Sequence, residues 1–501
     1  MVEADISADL GDPMNARRRR LGVLGVAFVL VANAAGVANA AGVAAADAAP
    51  VGGAPVDATS SATRVPTPTV SVPTVAGNGI FDLQADLTQF PQYGYEEQEY
   101  FLTGTARAFD PVGALGSDGR WSVTPSTTAP YKTRILVRRP IDPAKFNGTV
   151  VVEWLNVTAG FDTSPDWSFA RTELMRRGFA WVGVSAQFVG IEGTGGLFPG
   201  LKTFDPVRYN TLSHPGDIYS YDMYSQAGQV LRHPHGINPL AGLDVDHLIA
   251  DGESQSASRM TTYVNAVSPV AKVYDAFLIH SRASGTSTLS LSGPGAAMPN
   301  PTFIRTDIST PVLVVESEND VLRHLSARQA DSSHYRLWEM AGTSHLDAYA
   351  LGPAAIAFLA CDKPVNSGPG HYVMHTAIRR LWKWMRHPSS PPPSSPLITV
   401  DAQGAIVRDA LGNALGGIRT PQLDVPIATL SGVGNTPGGF CGLFGVTTPF
   451  TPQQLTNLYG TQVNYTFQFV IATARMLDSK FLLTDDALDV VLETQNVAIG
   501  P

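Results

Sequence analysis

Ser254 is the residue whose neighbours say most about chemistry. The run His247-Leu248-Ile249-Ala250-Asp251-Gly252-Glu253-Ser254-Gln255-Ser256-Ala257 passes from a short apolar strand, through the pattern G-x-S-x-S, into a helix-forming segment. A strand-to-helix turn that tight admits only small residues two before and two after its centre, and Gly252 and Ser256 meet the demand. It lifts the serine hydroxyl above a sheet and sets it at a helix start, whose free amides favour developing negative charge. The same five-residue pattern arises by chance in loops. The strand before and the helix after it are what mark Ser254 as a nucleophile, with Ser256 as the small residue of the turn.

A serine hydroxyl attacks only when a base takes its proton. His345 is the expected base, because it follows the strand-like run Tyr335–Met340 and the small-residue loop Ala341-Gly342-Thr343-Ser344. A carboxylate to orient the imidazole is expected beyond the apolar run Pro311–Val315, where Glu316, Glu318 and Asp320 compete. Asp320, farthest along the loop, is the preferred acid and Glu318 the alternative, since either carboxylate can serve if it bonds the ring N–H. The oxyanion formed by attack needs backbone donors. Gln255, next after the serine, is the first, and Asn156 in Leu155-Asn156-Val157-Thr158-Ala159-Gly160 is the second, although Asn there serves equally well as a turn residue.

These side chains need a scaffold that holds strand ends in register, and the chain alternates accordingly. Tyr131–Arg139 and the β-branched run Gly148–Val157 read as strands, Trp167–Arg177 as a helix and Phe179–Val184 as the next strand. Helices are expected near Tyr221–Arg232 and Gln255–Val267, and strands at His247–Ala250, Tyr274–Ile279, Pro311–Val315 and Tyr335–Met340. Repeated strand-helix-strand order with buried strands predicts a mainly parallel sheet covered by helices on both faces, with reactive groups beyond the carboxyl ends of the strands. Residues 188–220, rich in Gly and Pro, are too long for a plain connection and read as a cap insertion. The core is expected over residues 77–395 and an irregular, partly β extension over 396–501.

The amino terminus reads differently. Arg17–Arg20 precede the apolar stretch Leu21–Val31, which runs into Ala38-Asn39-Ala40, the order of a secretory signal peptide cleaved near Ala40. Met14 is a plausible start for it. Residues 41–76 are rich in Pro, Ser, Thr and Ala and read as a linker. The net charge of −9 is unaltered by removing residues 1–40, which carry four arginines and four acids. An acidic surface of this kind argues against nucleic acid as a partner. A cleaved signal peptide leaves a secreted chain with no stable membrane insertion, and export permits a disulfide between Cys361 and Cys441.

Several separated motifs converge on one resemblance. Val152-Glu153-Trp154-Leu155-Asn156-Val157, His214-Pro215-Gly216-Asp217, Gly252-Glu253-Ser254-Gln255-Ser256, Trp338-Glu339-Met340-Ala341-Gly342 with His345, and Gly412-Asn413-Ala414-Leu415-Gly416-Gly417-Ile418-Arg419-Thr420-Pro421 resemble a bacterial family of alpha/beta hydrolase domain-containing proteins, presumed serine esterases. The resemblance spans about residue 77 to the C-terminus. It implies the α/β-hydrolase fold, in which the order serine, acid, histidine is the usual one, and a C-terminal tail that belongs to the same domain. The expected reaction is cleavage of a small or polymeric carboxylic ester through an acyl-enzyme, with no metal or organic cofactor; lactones and amides are compatible. The histidine-glycine oxyanion motif of many lipases is absent.

Rival readings rest on less. His233, His235, Asp244, Asp246 and His247 crowd one region but match no familiar metal-ligand spacing. Gly193-Thr194-Gly195-Gly196 lacks the strand and helix of a dinucleotide site. A secreted binding protein that has lost catalysis is not required, because nucleophile, acid and base candidates are all present.

Overall fold

The computed structural model describes residues 54–55, 64–82, 84, 86–193, 200–436 and 439–500. The expected signal peptide and most of the expected linker lie outside the described residues. Strands β1 (Thr69–Ser71), β2 (Tyr95–Pro111) and β3 (Val123–Pro140) pair antiparallel. The chain then alternates through β4 (Thr149–Trp154), helix α1 (Pro165–Arg176), β5 (Ala180–Val184), helix α2 (Ser220–Arg232), β6 (His247–Glu253), helix α3 (Gln255–Thr262) and β7 (Ala276–His280). It continues with β8 (Val312–Ser317), helix α4 (Glu318–His324), β9 (Tyr335–Met340) and helix α5 (Gly370–Arg386). The sheet order is β9-β8-β7-β6-β4-β5-β3-β2-β1, with β4 through β9 mutually parallel and β3 antiparallel to β5.

Alternation along each strand explains why both faces are covered. Leu248 and Ala250 of β6 pack in one core with Met223, Tyr224 and Met260, from α2 and α3. Ile249, between them, faces the opposite core with Phe169 and Leu174 of α1 and Val373 and Leu381 of α5. A strand buried on both sides must be apolar at every position, which is why these strands read as continuous apolar runs. β2 escapes that signature. Its opening Glu96 and Glu97 are satisfied by Arg139 and Arg138 of β3 across the ladder, so a charged sequence still makes a long strand.

Part of the stretch expected as linker joins the sheet. Val70 pairs with Leu102 and is buried together with Val65, so β1 is an edge strand within residues read as linker. The prolines on either side, Pro66, Pro68 and Pro73, keep it to three residues, since Pro cannot donate to a ladder.

The C-terminal segment packs onto the same core. β10 (Ala428–Ser431) and β11 (Val446–Pro449) form an antiparallel pair, and helices α6 (Gln462–Asp478) and α7 (Thr484–Leu492) follow. Tyr465, Phe469, Ala472 and Met476 of α6 join the core that contains Trp338 of β9. A Cys361–Cys441 disulfide, with Cα atoms 5.7 Å apart, closes 80 residues of chain between α5's approach and β11. Closing a loop of that length restricts the unfolded chain by an amount worth on the order of 4 kcal/mol. Calorimetry of the Cys361→Ser, Cys441→Ser double variant is therefore expected to give a melting temperature several degrees below that of the parent, and an unchanged melt removes the disulfide from the stability of this segment. Among the described residues no helix is long and apolar enough to cross a membrane.

Candidate active site

Ser254 sits between β6 and α3 with φ 58° and ψ −114°, a left-handed backbone that a non-glycine residue adopts only when its surroundings hold it there. Its amide donates to the carbonyl of His280 on neighbouring β7, and its carbonyl accepts the amide of Ser258 in α3. The demand for small neighbours has a visible cause. A Cβ on Gly252 would stand 3.1 Å from the carbonyl oxygen of Ser256, tighter than side chains normally pack. Ser254 itself is half-buried.

Two adjacent strand ends deliver the other groups. β8 ends at Ser317, and α4 begins at once, placing Asp320 in its first turn. β9 ends at Met340, and the loop after it carries His345. His345 Nδ1 lies 2.8 Å from Asp320 Oδ2, and both side chains are buried. Asp320 also accepts hydrogen bonds from Ser317 and Arg323. Burial works against its ionisation, but His345 and Arg323 outweigh it and hold the carboxyl well below the usual carboxylate range.

Glu318 is used elsewhere. Its carboxylate accepts the amides of Gly342 at 2.7 Å and Gly432 at 3.0 Å and pairs with Arg408 at 2.8 Å. It thus pins the C-terminal segment to the loop that carries His345. Glu316 is buried at the end of β8 and stands 3.7 Å from His324, away from the imidazole of His345.

The face of His345 that should meet the serine is occupied by another carboxylate. Nε2 lies 2.8 Å from Glu253 Oε1, and no hydrogen bond joins Ser254 Oγ to His345 among the described residues. Burial would depress the imidazole, but Asp320 and Glu253 flank it and push it up to about 10. Asn156, expected as an oxyanion donor, has its hydrogens engaged. Its amide donates to Thr163 at 3.0 Å, and its carboxamide donates to both the carbonyl and Oε2 of Glu253 at 3.0 Å. Gln255 begins α3, so its amide has no acceptor one turn back, and none is found among the described residues.

Below the serine, on the α1 side, lies a set of buried acids that spacing along the chain does not reveal. His280 Nδ1 lies 2.7 Å from Asp166 of α1, and Glu153 accepts the amides of Asp166 and Trp167 and the indole N–H of Trp181. Burial first, and then the charge of Asp166, pushes Glu153 and Asp251 well above the carboxylate range. On the other face the His214-Pro215-Gly216-Asp217 turn ties the segment that begins at Phe188 to α3. Asp217 accepts the amide of Phe188 and pairs with Arg259, each at 2.8 Å. Glu253, Asp166 and His280 were the residues missed from sequence. Glu253 occupies a variable position of the serine motif, and His280 lies one residue past an ordinary apolar run.

Among the described residues no three His, Cys, Asp or Glu side chains gather in an arrangement able to hold a metal. His247 opens β6 at the end remote from Ser254 and stands 3.9 Å from Asp275.

A mostly parallel sheet in this order, with a serine in a strained turn after its central strand and an Asp–His pair beyond β8 and β9, defines an α/β-hydrolase fold. The chain belongs to the alpha/beta hydrolase domain family, whose profile matches residues 54–491. Similar solved structures include fungal esterases from Rhizomucor miehei, at 11% identity over 56% of this chain and 85% of that one, with a TM-score of 0.27. A thermostable esterase from Pseudomonas putida ECU1011 is 12% identical over 57% and 81%, with a TM-score of 0.27. A carboxylesterase from Lactobacillus plantarum WCFS1 is 11% identical over 46% and 82%, with a TM-score of 0.24. No curated protein matches the chain.

Proposed function

We propose that this chain is a secreted serine hydrolase that cleaves carboxylic esters through an acyl-enzyme. The observation that carries the reading is the buried Asp320–His345 pair at 2.8 Å, set beyond the carboxyl ends of β8 and β9 in the same parallel sheet whose β6 presents Ser254 at positive φ. Ser254 Oγ attacks the ester carbonyl carbon while His345 Nε2 takes its proton, and Asp320 holds the ring by Nδ1 and stabilises the imidazolium. The imidazolium then protonates the departing alcohol oxygen. Water attacks the acyl carbon with His345 again as base, and the carboxylic acid leaves as Ser254 regains its proton.

The tetrahedral oxyanion is received by the amide of Gln255, which the start of α3 leaves unspent. The second donor comes from the loop after β4. There the amide of Asn156 is already given to Thr163, whereas that of Val157 meets no acceptor among the described residues, so Val157 is the donor we assign. Export rests on the signal-like residues 1–40, and a disulfide is at home outside the cytosol.

The test is fluorophosphonate labelling of the purified protein, with peptide mapping and hydrolysis of p-nitrophenyl esters of graded chain length. Labelling confined to Ser254 together with turnover is the expected result. Absence of both rejects the reading in favour of a binding protein on a hydrolase scaffold.

A further inference from the structure

Glu253 is an acid that the reaction above does not use, and it stands against the atom that must accept the serine proton. Its carboxylate is buried and is not free to wander. Oε2 takes the carboxamide of Asn156 at 3.0 Å, the same carboxamide also holds the Glu253 carbonyl, and Oε1 lies 2.8 Å from His345 Nε2. With Asp320 at 2.8 Å on Nδ1, the ring is clasped by a carboxylate at each nitrogen. A carboxylate oxygen facing each ring nitrogen favours the doubly protonated ring, which has an N–H to offer on both sides.

We propose that Glu253 is a positioning residue that holds His345 in the resting enzyme as an imidazolium directed away from Ser254, making hydrolysis an alkaline-activated reaction. This inference rests on the reading of Ser254 and His345 as nucleophile and base. Before the first turnover the Nε2 proton passes to solvent hydroxide; the neutral ring then leaves Glu253 and accepts the proton of Ser254. The charge on His345 is set from every side by groups already placed. Asp320 and Arg323 come from α4 and Glu253 from β6, while His280 of β7, paired with Asp166 of α1, adds an opposing positive field. Asp347, on the loop of His345, is raised to about 7 by burial, which outweighs the lowering by the amides of Ala350, Tyr349 and Gly370 and by His280. Two carboxylates against one imidazole favour its charged form, and loss of one opposite charge at this range moves such a group by about one to two pH units.

The experiment compares the parent and Glu253→Gln as full chains in two readouts. The first is the pH dependence of kcat/KM for p-nitrophenyl butyrate and of the fluorophosphonate labelling rate. In the parent both should climb through neutral pH into the alkaline range; in Glu253→Gln the rise should come about one to two pH units lower. The second is NMR titration of the His345 ring, which does not depend on turnover. A lower titration midpoint in Glu253→Gln with no labelling at any pH supports the clasp and sinks the hydrolase reading alone. Normal labelling of Ser254 with superimposable pH profiles and titrations sinks the role of Glu253 alone. Should Glu253→Gln fail to fold, the parent decides: a rise in kcat/KM centred near the ordinary histidine value of about 6.5 overturns the proposal.

Discussion

Ser254→Ala is expected to leave a folded protein whose ester turnover has fallen roughly 10⁶-fold. The size of the loss follows from the chemistry, because without the hydroxyl no acyl-enzyme can form and only the polarising effect of the oxyanion donors remains. The fold should be indifferent. Alanine tolerates φ 58° no worse than serine, and Ser254 Oγ makes no hydrogen bond among the described residues. The two backbone hydrogen bonds that hold the turn, to His280 and from Ser258, survive the substitution. The melting temperature should therefore stay within a degree or two of the parent, which separates lost chemistry from lost structure. A variant that turns over within tenfold of the parent rules Ser254 out as the nucleophile.

Asp320→Asn should cost about 10⁴-fold in kcat/KM, while Glu318→Gln should cost less than about tenfold. An amide in place of the Asp320 carboxylate can offer its NH₂ to Nδ1, which moves the ring proton to Nε2, where a base must have none. The neutral amide also stops stabilising the imidazolium. Glu318 has no such contact, since its partners are Gly342, Gly432 and Arg408. Asp320→Asn should lower stability as well. The folded protein holds this carboxyl below its usual range, so the ionised form contributes stability above the unfolded-state value near 3.9 and loses it as pH falls further. The gap between the melting temperatures of parent and variant should thus be full at pH 7 and only begin to narrow at pH 3, since it closes as pH falls through the folded-state value. Equal losses of activity in the two variants would move the acid to Glu318.

The parallel strands were legible because burial on both faces leaves a long apolar run, and the run at 247–250 correctly pointed to the strand before Ser254. The turn was legible because its steric limit, seen in the 3.1 Å approach at Gly252, acts on residues two apart in the chain. β2 was not, because its glutamates are made tolerable by arginines some 40 residues away on β3. β1 was hidden by prolines that suit a linker and an edge strand equally well.

By itself the sequence determined which residues are available for chemistry, the turn that presents Ser254, the order of strands and helices, and the two cysteines that can pair. Each of these depends on neighbours in the chain or on residue type alone. Only the tertiary structure decided which carboxylate meets His345, because Glu318 and Asp320 are two residues apart on one helical turn and point in different directions from it. It also decided that Asn156 spends its donors on Thr163 and Glu253, and that Glu253 faces the imidazole. Those choices are set by where distant strand ends converge in space, and no spacing along the chain encodes the angle at which a side chain arrives there.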